Sequence, residues 1–88
     1  MKAATVVNIK AGDEYDVYIG RPSKWGNPYP LKHGQPRSEA LRIYRTHILG
    51  RPDLLADMEE LRGKRLGCYC APAECHGDVL VELLEARR

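Results

Sequence analysis

Residues 4–20 read ATVVNIKAGDEYDVYIG, and the fold turns on how the two apolar runs in this stretch pair. Ala4–Ile9 is rich in β-branched residues, which suit a pleated and half-buried surface, so a strand is expected there. Lys10–Glu14 contains Gly12 and is expected to turn. Tyr15–Ile19 sets Tyr15, Val17 and Ile19 against Asp16 and Tyr18, the period of two of a half-buried strand. Two such runs joined by a short loop are expected to pair as an antiparallel hairpin.

Downstream of this stretch the pattern changes. Gly20–Arg37 holds four of the six prolines, Pro22, Pro28, Pro30 and Pro36, and has no apolar periodicity. A loop of this length in a small domain usually has a function or is disordered. Trp25, Tyr29 and Leu31 supply apolar anchors, so order is expected. Ser38 is a suitable helix cap, with Glu39 in the first turn. Leu41, Tyr44 and Ile48, flanked by Ala40 and Ile43, mark one helical face that Gly50 ends. Pro52 can open a second helix, where its missing N–H costs nothing. Leu54, Leu55, Met58 and Leu61 form the apolar stripe of that helix, and Gly63 ends it. Arg65–Cys70 is expected as a short strand and Ala71–Glu74 as a turn. Val79, Leu80, Leu83 and Leu84 recur at helical spacing to the C-terminal arginines.

The order β-β-α-α-β-α points to a small α/β domain spanning residues 1–88, a three-stranded mixed sheet with helices packed on it. At 88 residues the chain suffices for one domain. A chain this short buries roughly 60–65% of its unfolded surface, which makes its stability modest. An apolar fraction of 43% and a charged fraction of 30% argue against wholesale disorder. Phe is absent, so core volume must come from aliphatic side chains, tyrosines and Trp25.

A formal charge of +2 does not by itself imply nucleic acid. Its distribution is more informative. Val17–Ser38 contains no acid, yet it carries Arg21, Lys24, Lys32 and Arg37. Such a stretch is either a solvated face or a receiver of anions. Three cysteines, an odd number, crowd between Cys68 and Cys75. This does not resemble a disulfide scaffold. Without a signal-like leader or a long apolar run, the expected home is a cytoplasm (a host's, if the chain is phage-encoded), with no membrane partner.

Two clusters can carry chemistry. The first is Cys68-Tyr69-Cys70-Ala71-Pro72-Ala73-Glu74-Cys75-His76-Gly77-Asp78. Cys68 and Cys70 share a strand face, and Cys75 and His76 fall near the start of the last helix. One reading is a zinc site with Cys68, Cys70, Cys75 and His76 as ligands. The donor set fits zinc, but Cys-x-Cys with an adjacent Cys-His pair departs from the usual spacing. A second is an anion-binding or catalytic turn built from Cys70, Cys75, His76 and Asp78. Helix N–H groups and the helix dipole there favour negative charge and thiolate. His76 can exchange a proton, and Asp78 can orient it. The outline resembles the strand-loop-helix cradle of cysteine phosphatases and rhodaneses, without their Gly-rich loop and with His76 in place of the closing Arg. A third reading makes the cysteines small apolar core filling.

The second cluster is Gly20-Arg21-Pro22-Ser23-Lys24-Trp25-Gly26-Asn27-Pro28. Arg21 can grip a phosphate or carboxylate through paired hydrogen bonds, and Lys24 adds charge. Trp25 can stack on a base or sugar, and Asn27 can donate and accept. The alternative is a surface loop pinned into the core by Trp25. His33 and His47 read as structural or exposed, Asn8 as satisfying a local backbone group, and Glu59–Glu60 as a solvated helix face.

Val7-Asn8, Tyr18-Ile19-Gly20-Arg21, Lys24-Trp25-Gly26-Asn27-Pro28, Leu61-Arg62-Gly63-Lys64 and Cys68-Tyr69-Cys70 through Cys75-His76-Gly77-Asp78-Val79-Leu80 together resemble an uncharacterised bacterial and phage family of unknown function, DUF4326. The similarity covers nearly the whole chain. The last block is more loosely similar to a second uncharacterised family with a Cys-His-Arg turn, where this chain has Gly77. The resemblance implies a family and brings no established activity. The residues by themselves lead to the expectation of a protein that binds a small anionic ligand, a nucleotide or a phosphorylated sugar, without cofactor. They leave open whether that ligand is also processed. The competing expectation is a zinc-stabilised module, not an enzyme, that binds host protein or nucleic acid.

Overall fold

β-branched and small residues dominate the three strands, and each strand is short. The computed structural model describes residues 3–21, 23–28, 34, 36–69 and 76–86. Strand β1 is Thr5–Asn8, β2 is Val17–Tyr18 and β3 is Arg65–Cys68. Helix α1 spans Arg37–Leu49, α2 spans Pro52–Asp57 and tightens into a 3-10 turn at Met58–Leu61, and α3 spans His76–Ala86. The expected element order and the α/β class are those observed.

Strand pairing differs from the expectation. β3 lies in the middle and pairs parallel with both neighbours, in the order β1-β3-β2. Among the described residues there is no antiparallel hairpin, and the sheet is parallel where a mixed one was expected. The turn chemistry around Gly12 is nonetheless real. The Asn8 side-chain oxygen accepts from the Lys10 and Ala11 N–H groups, and Gly12 N–H donates to Ile9 O. This Asn8 turn only begins the return journey. The chain comes back along the sheet and enters β2 in the same direction as β1.

Gly67 shows why that path is possible. A Cβ there would lie 2.8 Å from both Ile9 Cδ1 and Tyr15 Cγ. Residues at the two ends of the β1–β2 connection therefore meet over the middle strand, on ground that any side chain at position 67 would occupy. The start of β2 is fixed to β3 by charge as well as by backbone. Asp16 N–H donates to Arg65 O at 2.9 Å, Arg65 N–H donates to the Asp16 carboxylate at 2.8 Å, and the Arg65 guanidinium holds Asp16 and Glu14.

The helices cover the opposite face. Gly77, in the first turn of α3, approaches so closely that a Cβ would sit 2.8 Å from Ile19 and 2.9 Å from Val6. Leu66 and Cys68 of β3 are sealed beneath, together with Tyr44 and Ile48 of α1, Leu54, Met58 and Leu61, and Leu80 and Leu84 of α3. The α1 start is two residues earlier than a Ser38 cap would give, because Pro36 already supplies the first carbonyl, which accepts from Glu39 and Ala40. Gly50 and Pro52 stand at the helix end and helix start that their chemistry favours. No helix among the described residues is long and apolar enough to cross a membrane.

Candidate functional site at the carboxyl edge of the sheet

Because all three strands run the same way, their carboxyl ends lie along one edge. The loop after β2 and the segment between β3 and α3 both leave from that edge. In open parallel sheets this is where ligands bind. Parallel pairing is what brings the two sequence-defined clusters together.

The junction is a hydrogen bond. His76 Nε2 lies 2.6 Å from Ile19 O. A carbonyl only accepts, so Nε2 carries the proton, and Nδ1 is the acceptor nitrogen of the neutral ring. Burial pulls the His76 pKa below its ordinary value, opposed more weakly by the Ile19 carbonyl and the Asp78 charge. The ring also meets Tyr44 edge-to-face, with centroids 5.1 Å apart. Asp78 is exposed in the first turn of α3 and adds an attraction for the His76 proton through space.

Tyr44 carries the connection further. Its hydroxyl donates to Trp25 O at 2.6 Å. Trp25 is 1% exposed, and its ring N–H donates to the Glu60 carboxylate. The ring is therefore enclosed in the core and unavailable to stack on a ligand from solvent. The alternative reading of this loop, a surface segment pinned by Trp25, describes what is seen. Lys24 bonds Asp57 and Glu60, each at 2.9 Å, and its Nζ lies 5.3 Å from the Trp25 ring centre. Two carboxylates hold its pKa above the ordinary lysine value. Lys24 thus braces the loop, and Glu60, exposed as a solvated helix face predicts, is also half of that brace. Glu59 is exposed as expected and is held there by both arms of Arg62.

Arg21 is exposed and, like Arg42 on α1, makes no ion pair among the described residues, whereas Arg45, Arg51, Arg62 and Arg65 each hold a carboxylate. Its backbone is fixed. Ser23 N–H donates to Gly20 O, Gly26 N–H donates to Ser23 O, and the Tyr18 hydroxyl donates to Arg21 O at 2.9 Å. Gly26 packs on this backbone so tightly that a Cβ would lie 2.9 Å from Arg21 N. Asn27 follows, half-buried.

Two residues at this edge were not singled out from the sequence. Tyr18 and Tyr69 meet edge-to-face with centroids 6.3 Å apart, and Tyr69 is 58% exposed. Both read as ordinary strand residues, and only the pairing of β2 with β3 joins them. Of the cysteines, Cys68 is buried at 1% exposure. Cys70 and Cys75 lie outside the described residues, as do His33 and residues Ala71–Glu74, where a turn was expected. Among the described residues no group of three potential metal ligands gathers. An open groove of about 430 Å³ runs along α1, lined by Arg42, Ile43, Thr46, His47, Gly50 and Arg51. It borders the helix C-terminus, where backbone carbonyls disfavour anions, and Arg51 is already paired with Asp53.

A small α/β domain with one parallel sheet, its helices on one face and its polar groups gathered at the carboxyl edge, is the class of protein these features define. The chain belongs to the family described as a domain of unknown function, DUF4326, whose model matches residues 7–86. It is 37% identical over 83 residues to an uncharacterized 12.4 kDa protein from the nrdA-td intergenic region of Enterobacteria phage T4, covering 90% of this chain and 75% of that protein. It is 33% identical over 106 aligned positions to an uncharacterized protein of Acanthamoeba polyphaga mimivirus, covering 94% of this chain and 81% of that one. No solved structure matches the chain significantly.

Proposed function

We propose that the protein binds a small anionic ligand, a nucleotide or a phosphorylated sugar, at the carboxyl edge of its sheet. The observation that carries this reading is Arg21: an exposed guanidinium on a braced backbone at the edge where parallel sheets take ligands, with no carboxylate partner among the described residues. A guanidinium so held matches a phosphate through two parallel hydrogen bonds. Asn27 supplies a donor and acceptor nearby in sequence. His76 offers Nδ1 as a proton acceptor, and Asp78 lends charge. If the ligand is also processed, His76 is the residue for proton transfer, with Cys70 and Cys75 of the adjoining turn as candidate nucleophiles. Lys24 and Trp25 act by holding the loop.

The test is titration with ribose 5-phosphate and the four common nucleoside monophosphates, followed by heat release and thermal shift. At least one should bind. Binding should weaken as salt rises and fall roughly tenfold to a hundredfold in Arg21→Ala, the worth of a hydrogen-bonded charge. Binding that is indifferent to both removes the reading.

A second reading keeps zinc, with Cys68, Cys70, Cys75 and His76 as ligands, in a module that binds host protein or nucleic acid. One observation favours it. His76 donates one ring N–H to a backbone carbonyl, as metal-bound imidazoles do when the other nitrogen faces the ion. Protein purified without chelator would then carry one zinc per chain, with all three thiols released together by chelator.

A further inference from the structure

Tyr69 is a large aromatic side chain open to solvent. It follows β3 at the carboxyl edge and is 58% exposed, the most exposed large apolar side chain described. Its neighbour is the Tyr18 ring, edge-on at 6.3 Å and 72°. Tyr18 in turn is held by its hydroxyl on the Arg21 carbonyl at 2.9 Å. The contacts thus run from the open Tyr69 ring to Tyr18 and on to the backbone of Arg21, a residue with no ion pair among the described residues, across two hydrogen-bonded strands. The two rings and the Arg21 backbone are thereby linked at one edge of the sheet, with Arg21 itself exposed.

We infer that Tyr69 is the platform for a heteroaromatic base, so that the anionic ligand is a nucleotide and not a sugar phosphate. This rests on the reading of Arg21 as the phosphate-binding residue and narrows it. Every nucleobase has a flat π-face that stacks on a tyrosine ring, whatever its hydrogen-bonding edge. A sugar phosphate can use Arg21 but has no group that gains from Tyr69. Tyr18 meets Tyr69 edge-to-face, the arrangement aromatic pairs prefer, and Tyr69 remains 58% exposed to a ligand. Specificity between base and no base is then set by Tyr69, and the common anionic affinity by Arg21.

The two claims separate in one experiment. Binding of AMP, GMP, CMP, UMP and ribose 5-phosphate is measured on the full chain, on Tyr69→Ala, on Tyr69→Trp and on Arg21→Ala. Tyr69 is exposed, so its substitution should leave the melting temperature close to that of the parent. The expected result is at least one nucleotide bound tenfold or more tighter than ribose 5-phosphate. Tyr69→Ala should weaken that nucleotide roughly tenfold to a hundredfold, toward the sugar phosphate, and Tyr69→Trp should restore it. Arg21→Ala should weaken nucleotide and sugar phosphate alike. Equal binding of both ligand classes, unchanged by Tyr69→Ala, overturns the platform while leaving the anion site intact. Absence of binding by every ligand overturns the anion site and the platform with it.

Discussion

His76 concentrates what a single residue contributes here. Its ring spans from α3 to the end of β2, and burial keeps it neutral. The unfolded chain takes up a proton at this residue near pH 6.5, and the folded chain only at lower pH. The folded state is therefore fully favoured above about 6.5, and His76 costs stability as pH falls from there through its depressed folded value. The melting temperature of the parent should drop between pH 7.5 and 5.5 by more than that of His76→Gln, which cannot titrate. Equal drops in the two proteins would show that the imidazole is not held neutral. Trp25 gives the complementary case. Removing a ring that is 1% exposed and held at both its backbone and its N–H should cost about 3–5 kcal/mol. That is a large part of the roughly 5–15 kcal/mol of a typical domain. Trp25→Ala should accordingly shift the urea midpoint strongly downward, and a midpoint near the parent's would contradict the enclosed ring. A tryptophan amid prolines and basic residues reads equally well as anchor or as ligand contact. The choice was made by Glu60 and Tyr44, which lie 35 and 19 residues away in the chain.

At the scale of elements, two glycines set how closely the layers approach. Gly77 brings the first turn of α3 onto Val6 and Ile19, and Gly67 lets Ile9 and Tyr15 meet over β3. Alanine normally improves a helix by up to about 1 kcal/mol over glycine. At position 77 the added methyl meets side chains in the sealed layer, and overpacking there should outweigh the gain, with a net loss of about 1–3 kcal/mol. At position 67 the same methyl meets residues of a partly exposed connection that can give way, so Gly67→Ala should cost less. Chemical denaturation of both variants checks the order, and the reverse order would mean that the connection, not the helix, is the tighter layer. The helices themselves were legible because periodicity, Gly50 and Pro52 are local signals. The exact α1 start was not, since Pro36 and Ser38 both satisfy a first turn. Pairing of the strands was not legible either, since a run such as Val17–Tyr18 carries no mark of direction.

At the scale of the molecule, the central position of β3 makes it the part with the least access to water. Leu66 and Cys68 are enclosed by helices on one side, and β1 and β2 flank them. Backbone amides of β3 should therefore exchange most slowly, opening only with the whole domain. The Cys68 thiol should alkylate last of the three cysteines under native conditions and at once in denaturant. Mass-mapped labelling in which Cys68 reacts early in the folded protein would show that the end of β3 is not sealed.

By itself the sequence determined the α/β class, the order of the elements, the helical faces and the two clusters where chemistry concentrates, because each follows from neighbours within a few residues. It also carried the family, through blocks of residues dense enough to be specific. Only the tertiary structure decided that the sheet is parallel, that Trp25 and Lys24 serve the core and the loop, and that Tyr18, Tyr69, Arg21 and His76 share one edge. The physical reason is the same in each case. Strand direction, ion-pair choice and burial are fixed by partners far along the chain, such as Lys24 with Asp57 or His76 with Ile19, separated by 33 and 57 residues. The free energy that selects those partners comes from closing the core as a whole.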